Sequence, residues 1–490
     1  MKISAIRLNN PNIPKEPLKR NLCTLGDSRG TRFAGRCMLS PQKAGLLQAY
    51  LGSLPSNLAV RLAKAVEVDR LTDGAILPHE LILEGLRPIL SRGQYDRTPT
   101  PLRLFCRPFE DTLSSAPRGL KQKGRIARSS ILPVWNWVTG DLIPKASHAY
   151  VGELKTLLVS LRVDEAKARA ITFWTDAAAA IRDAAATNAG RKQLERLFKD
   201  ELIAADAVEM GLLLGGGAEI LRLQEKLPSP VQSFGPDLLA EARASYDRLV
   251  ATVPDAAPYV VIVVMNRLAR RWEALRLAVQ ISRKTGDTLI ASTDMGLAGD
   301  ILFADLEALS KAVKNTRHPR FDAEALIENV ASFAELSSGV VKELELRRDG
   351  RWGQSLLKDR AEVGEVMNAF MERAPREIAN AFPTKRATKA VDPEKIERAL
   401  RYATLIAGCR PFAAAASFAA SLKDAQDEIV GSLRNINDDL LWQLRSVEEG
   451  RHQNIQDMFA LATELTSILC GEAEAEVLKR RGRNARPAAA

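Results

Sequence analysis

The stretch SLKDAQDEIVGSLRNINDDLLWQLRSV, residues 421–447, decides the fold class. Apolar side chains recur at Leu422, Ala425, Ile429, Leu433, Ile436, Leu440, Leu444 and Val447, in repeated steps of 3, 4 and 4. That period holds one stripe on one face of a nearly straight α-helix. The stripe resumes at Ile455, Met458 and Ala462 beyond Gly450-Arg451. A helix continuous through Gly450 would reach about 70 Å at its usual rise, whereas a turn there folds the segment into an antiparallel hairpin. In both cases the stripe requires cover. Leu422, Ile429, Leu433, Ile436, Leu440, Leu444 and Val447 are therefore the candidate partner-helix interface, toward the chain's own body or a second copy of it.

The rest of the chain reads the same way. From Tyr150 to Phe382, helical patterning is broken at Pro228-Ser-Pro230, Pro254 to Pro258, Lys284-Thr-Gly286, His318-Pro319 and Asp349-Gly350, as stacked helical hairpins would be. No fixed repeat period accompanies the breaks. A helix start is expected after Ser40-Pro41 and a second helix from Pro78 to Ser91. Arg97-Thr-Pro-Thr-Pro101 cannot be helical. The apolar run Tyr259–Met265 fits a buried strand by its β-branched content, but no similar run is present to pair with it. Its pattern continues through Leu268, Trp272, Leu275 and Val279, so a buried helix is the expectation. The fold class is all-α: a multi-helix bundle or irregular stacked hairpins, with a long C-terminal amphipathic helix or helical hairpin.

The expected organisation is a basic N-terminal arm over 1–40, a helical region with an irregular basic segment over 41–149, and a central helical domain over 150–382. A linker over 383–393, long C-terminal helices over 394–478 and a disordered basic tail over 479–490 complete it. At 490 residues the chain exceeds what one core usually organises, which favours several packed domains. The longest apolar run has seven residues, far short of the roughly 18 that cross a bilayer, and no secretory signal is read at the start. The 5 cysteines are scattered and odd in number, which favours reduced thiols and a cytoplasmic location.

The net charge of +10 is unevenly placed. Residues 1–40, 97–128 and 479–490 hold +6, +6 and +5, leaving the rest at −7. Such clusters attract polyanions. In the middle cluster Arg103, Arg107, Arg118, Lys121, Lys123, Arg125 and Arg128 are interleaved with Phe105 and Phe109, a pattern that suits phosphate contacts with base stacking. The competing reading buries the phenylalanines and pairs the cations with acids. Trp135 and Trp137 are expected to anchor this irregular region to the helical body.

Catalytic motifs do not emerge. Nucleophile-elbow, phosphate-loop, dinucleotide and calcium-loop patterns are missing. His79-Glu80 begins a zinc motif that Leu83 breaks, and the other histidines, 148, 318 and 452, read as surface or capping residues. Gly215-Gly-Gly217 reads as a hinge between two helices. Ser355-Leu-Leu-Lys358 is a chance match to an acyl-transfer motif. No metal ligands or cofactor are assigned. The function expected is that of a non-catalytic helical interaction or scaffold protein, partnered by another protein or itself through the C-terminal helices. A nucleic-acid or anionic-surface binder using the three basic segments is the alternative, and an enzyme without a recognisable motif is the third reading.

Overall fold

A computed structural model describes residues 41–71, 79–90, 99–114, 121–160, 162–382, 392–446 and 452–485. They are almost entirely helical, with one two-residue parallel pairing of β1 (Leu113–Ser114) and β2 (Ile126–Ala127). No helix among them is long and apolar enough to cross a membrane. The chain divides after Thr98 into two compact units.

The first unit contains α1 (Pro41–Gly52), α2 (Ser56–Leu71) and α3 (His79–Leu90). Leu51, Ala59, Ala63, Val66, Leu86 and Leu90 form its core. The small Ala59 and Ala63 on α2 let neighbouring helices come close, and His79 Nε2 meets the Asp69 carboxylate at 2.9 Å across α2 and α3.

The second unit opens with α4 (Pro101–Cys106), started by proline after the Thr100 N-cap, whose hydroxyl accepts from Arg103 N. Then come α5 (Ile131–Trp137), α6 (Pro144–Val159), α7 (Val163–Ala185), α8 (Asn188–Phe198), α9 (Glu201–Gly215) and α10 (Gly217–Lys226). The turn between α9 and α10 falls at Gly216, as the glycine run predicted. No division appears at 149/150. The Tyr150 ring stacks on Phe173 at 4.0 Å, and Trp135 and Phe105 pack against the same pair, so one aromatic core spans the expected boundary.

Next are α11 (Pro236–Thr252), α12 (Tyr259–Arg267), α13 (Leu275–Ser282), α14 (Asp287–Ala291), α15 (Gly296–Lys314), α16 (Ala323–Glu343) and α17 (Arg351–Ala379). Each punctuation mark read from the sequence falls between helices. The Tyr259–Met265 run is helical and buried on every side. Its pattern does not continue as one helix, because Leu268 is extended and bridges Val231, which leaves a short 3-10 turn before α13.

The last helices are α18 (Pro393–Cys409), α19 (Ala419–Ser446), α20 (His452–Cys470) and α21 (Glu472–Ala485). Asp392 caps α18, accepting from Glu394 N at 3.0 Å. Asn437 of α19 meets Thr466 of α20 while Leu444 shares a groove with Gln456 and Phe459. The pair is therefore antiparallel, which selects the hairpin over the single 70 Å helix; Gly450 itself lies outside the described residues. The expected disordered tail is corrected over 479–485, where α21 continues. Leu478, Gly482 and Ala485 are buried on one face of it, an amphipathic pattern with basic residues outward. Residues 1–40, 383–391 and 486–490, where an arm, most of a linker and the tail's end were expected, lie outside the described residues.

Candidate functional site

Much of the charge of the basic segment turns inward, although Lys123 and Arg128 are exposed. Phe105 and Phe109 are both 0% exposed. They lie i,i+4 and contact each other edge to face at 5.7 Å within the aromatic core. Burying a ring of that size stabilises by about 2 kcal/mol, so the core holds both phenylalanines and the base-stacking role expected of them is corrected. Tyr150 donates to Pro101 O at 2.9 Å and Trp174 donates to Leu104 O at 3.0 Å, tying α4 to the helices behind it. Trp135 and Trp137 do anchor the region, through Phe105 and Phe198 respectively.

The cations mostly meet carboxylates or rings. Arg107 pairs with Glu110 at 2.7 Å. Lys121 bridges Asp206 and Glu209, both buried on α9. Arg125 pairs with Asp305 of α15 and also donates to Ile301 O. Lys123 sits 5.9 Å from the centre of the Tyr259 ring. Arg103 is half-buried and Arg128 is exposed, and Arg118 lies outside the described residues. Gly124, at φ +83°, takes a turn that other residues strain to adopt and aims its N–H at Glu209 Oε1, 2.6 Å away. Asp206 Oδ2 accepts from Ala127 N at 3.0 Å and Ser130 Oγ at 2.7 Å. The segment is thus stapled to α9, because two buried carboxylates need donors on every lone pair.

A second polar hub surrounds Arg267 at the end of α12. Its guanidinium pairs with Glu110 at 2.7 Å and Asp111 at 2.8 Å and donates to Gln224 O and Leu227 O. Burial nevertheless pushes the Glu110 carboxyl above its ordinary range, against the pull of Arg107. Both hubs join residues far apart in the chain.

The C-terminal stripe is also internal. Leu422, Ile429, Leu433, Leu440 and Leu444 are buried and Ile436 is half-buried, with α17, α20 and α21 providing the cover; Val447 lies outside the described residues. The partner helix is the chain's own body, so this stripe offers no face to a second copy.

Several cavities open among the described residues. A groove of about 720 Å³ runs between residues 319–324 and α18, with a histidine cluster beside it. His318 Nδ1 meets the Tyr402 hydroxyl at 2.9 Å, and Nε2 faces Glu377 at 3.5 Å. Arg398 completes the cluster on Glu377. Burial and then Arg373 hold the His318 imidazole below its usual range. Tyr402 is fully buried and its hydroxyl is pushed up to about 12 by burial. The cluster joins α17 to α18 and cannot reach a substrate through the tyrosine.

Another cavity, of about 550 Å³, lies among the end of α18, α19, α20 and α21. Arg410, Arg434, Asn437, Cys470, Glu474 and Arg481 are on its wall, with Leu433 and Leu469 supplying apolar surface. Arg481 is paired with Asp438 at 2.9 Å. Arg434 makes no hydrogen bond or ion pair among the described residues. Sequence reasoning missed this site because its residues come from four helices: Arg434 and Asn437 share α19, Glu474 and Arg481 share α21, and Arg410 and Cys470 stand at the ends of two others. Among the described residues no cluster of metal-type side chains is present.

No family model matches the sequence, and no curated protein and no solved structure resembles it significantly.

Proposed function

We propose that this chain is a non-catalytic helical interaction protein whose binding face lies on the outer side of α19. The observation that supports this is Trp442. Its indole is 58% exposed on a helix whose opposite side is buried against α17, α20 and α21, so the ring stands on a rigid base. Tryptophan and arginine dominate the few residues that account for most interface energy, and Arg445 is exposed on the same helix. Self-association through this surface is the favoured form, since an isologous contact places Trp442 of each copy against the other. It replaces the buried stripe as the self-contact.

Light scattering with size-exclusion chromatography over a concentration series tests it, comparing the wild type with Trp442→Glu. A dimer that dissociates in the variant, with an unchanged circular dichroism spectrum, supports the reading. Monomers in both proteins up to about 100 µM, where an interface of about 5.5 kcal/mol would be half assembled, remove self-association. The nucleic-acid alternative is less favoured, because Arg107, Lys121 and Arg125 are committed to acids.

A further inference from the structure

The cavity among α18–α21 has features of a ligand site that the packing of the helices does not require. Its 550 Å³ volume falls within the range of small-molecule pockets, and its lining mixes apolar surface with a few polar groups. Three of those groups define the chemistry. Arg410 donates from Nε to Gln426 Oε1 at 3.1 Å and from one terminal nitrogen to Leu469 O. A guanidinium has five N–H donors, so three remain. Arg434 is unpaired among the described residues and lines the same cavity as Arg410 and Cys470. Glu474 acts on the Cys470 thiol, raising its pKa.

Asn437 supplies the third feature. It is 8% exposed, and its Oδ1 has no hydrogen-bond partner. Its orientation is set by its neighbour. The Thr466 hydroxyl donates to Ala462 O at 2.7 Å, so toward Asn437 it can only accept, from Nδ2 at 3.4 Å. Oδ1 is left as a buried acceptor in a residue that lines the cavity, and an orphaned acceptor of this kind is destabilising unless something donates to it.

We infer that this cavity binds a small organic acid, with the carboxylate held by Arg410 and Arg434, a hydroxyl or amine donating to Asn437 Oδ1, and an apolar body against Leu433 and Leu469. A planar guanidinium fork matches a carboxylate, and the ligand satisfies the buried polar atom that is left without a partner among the residues lining this cavity. This inference is independent of the interaction surface around Trp442, because the carboxylate site faces the α18–α21 cavity and uses none of that indole.

Cys470 is an intrinsic reporter for the test. Its thiolate displaces iodide from iodoacetate, which is anionic, or from iodoacetamide, which is neutral, and mass spectrometry of the Cys470 peptide resolves it from the other cysteines. Burial and Glu474 raise the thiol's pKa, but this slows both reagents alike. The ratio of the two rates therefore reports attraction of the carboxylate. Relative to mercaptoethanol it should rise about threefold, the effect of the single net positive charge that Arg410 and Arg434 leave against Glu474, a few ångströms away in a water-like dielectric. Most of the rise should vanish in the Arg410→Gln, Arg434→Gln double variant.

Binding itself is read in the wild type, with no variant needed. Mandelate should slow iodoacetamide at Cys470 saturably while leaving Cys106 unaffected. Its deoxy twin phenylacetate, which offers Asn437 no hydroxyl, should need about threefold or more higher concentration. A rate ratio equal to that of mercaptoethanol overturns the proposal. So does a raised ratio without saturable protection, which is surface charge alone. Equal protection by mandelate and phenylacetate overturns the part assigned to Asn437.

Discussion

The carboxylate of Glu209 accepts the Tyr259 hydroxyl at 2.6 Å, joining α9 to α12 in the buried centre of the second unit. Burial and the same carboxylate push the phenol well above its usual range, so it remains a donor. The same oxygen also accepts Gly124 N, and the other faces Lys121.

Removing the two partners should therefore have unequal effects. Glu209→Ala leaves Lys121, Gly124 N–H and the Tyr259 hydroxyl without their shared acceptor and should destabilise by about 3–5 kcal/mol. Tyr259→Phe removes one donor and should cost about 1–2 kcal/mol. The double variant should lose less than the sum, since both changes act on one contact. Calorimetric unfolding of the four proteins completes the cycle, and additive losses would show that the pair is not coupled.

Glycines on α15 and α19 should respond in opposite directions to the same methyl group. A Cβ on Gly299 would lie 2.2 Å from the Trp352 ring, and that ring is fixed by stacking on Phe303 and by donating to Asp300 at 2.9 Å. Gly299→Ala should cost about 3 kcal/mol and alter the near-ultraviolet circular dichroism of the tryptophans. Gly431 has nothing within 4 Å of its Cβ position; Gly431→Ala should stabilise by about 0.5–1 kcal/mol by helix propensity alone. Equal thermal shifts would contradict the packing described at Trp352.

Acid should loosen the contact between α17 and α18. The folded His318 imidazole titrates below its unfolded value of about 6.5, so the unfolded chain binds the proton more tightly. This contribution is present in full above pH 6.5 and is lost as the pH falls through the folded value. The groups facing the ring are Tyr402 and Arg398 from α18, and Arg373 and Glu377 from α17. The stability difference between wild type and His318→Gln, measured by denaturant unfolding at pH 7.5 and pH 5.5, should shift against the wild type at the lower pH. No shift would assign the acid response to other groups.

The fold class was legible because helix periodicity is local. The 3-4-4 steps from Leu422 to Leu444, the breaks at Pro254 and Asp349-Gly350, and the Gly215-Gly-Gly217 hinge each follow from residues within a few positions of one another. Lys121 meets Asp206 85 residues away and Arg267 meets Glu110 157 residues away, and no local pattern announces such pairs. A clue was present in α9, where Asp206 and Glu209 interrupt an otherwise apolar run three residues apart, too deep in the pattern to be solvated. The arginine cavity is less legible still, since Arg410, Asn437 and Cys470 come from three different helices.

The antiparallel α19–α20 hairpin also has a consequence for the order of synthesis. Helix α17, with Trp352, Met367 and Phe370 on its buried side, rests against α18 and α19, which leave the ribosome after it. Until those residues emerge, α17 presents an uncovered apolar face. Domains fold as units, from the N-terminus, as they are made, and here the centre of the second unit must wait for its C-terminal end. A chain terminated at Phe382 should consequently be retained by chaperones or precipitate, while substitutions on the outer surface of α19 leave its yield unchanged.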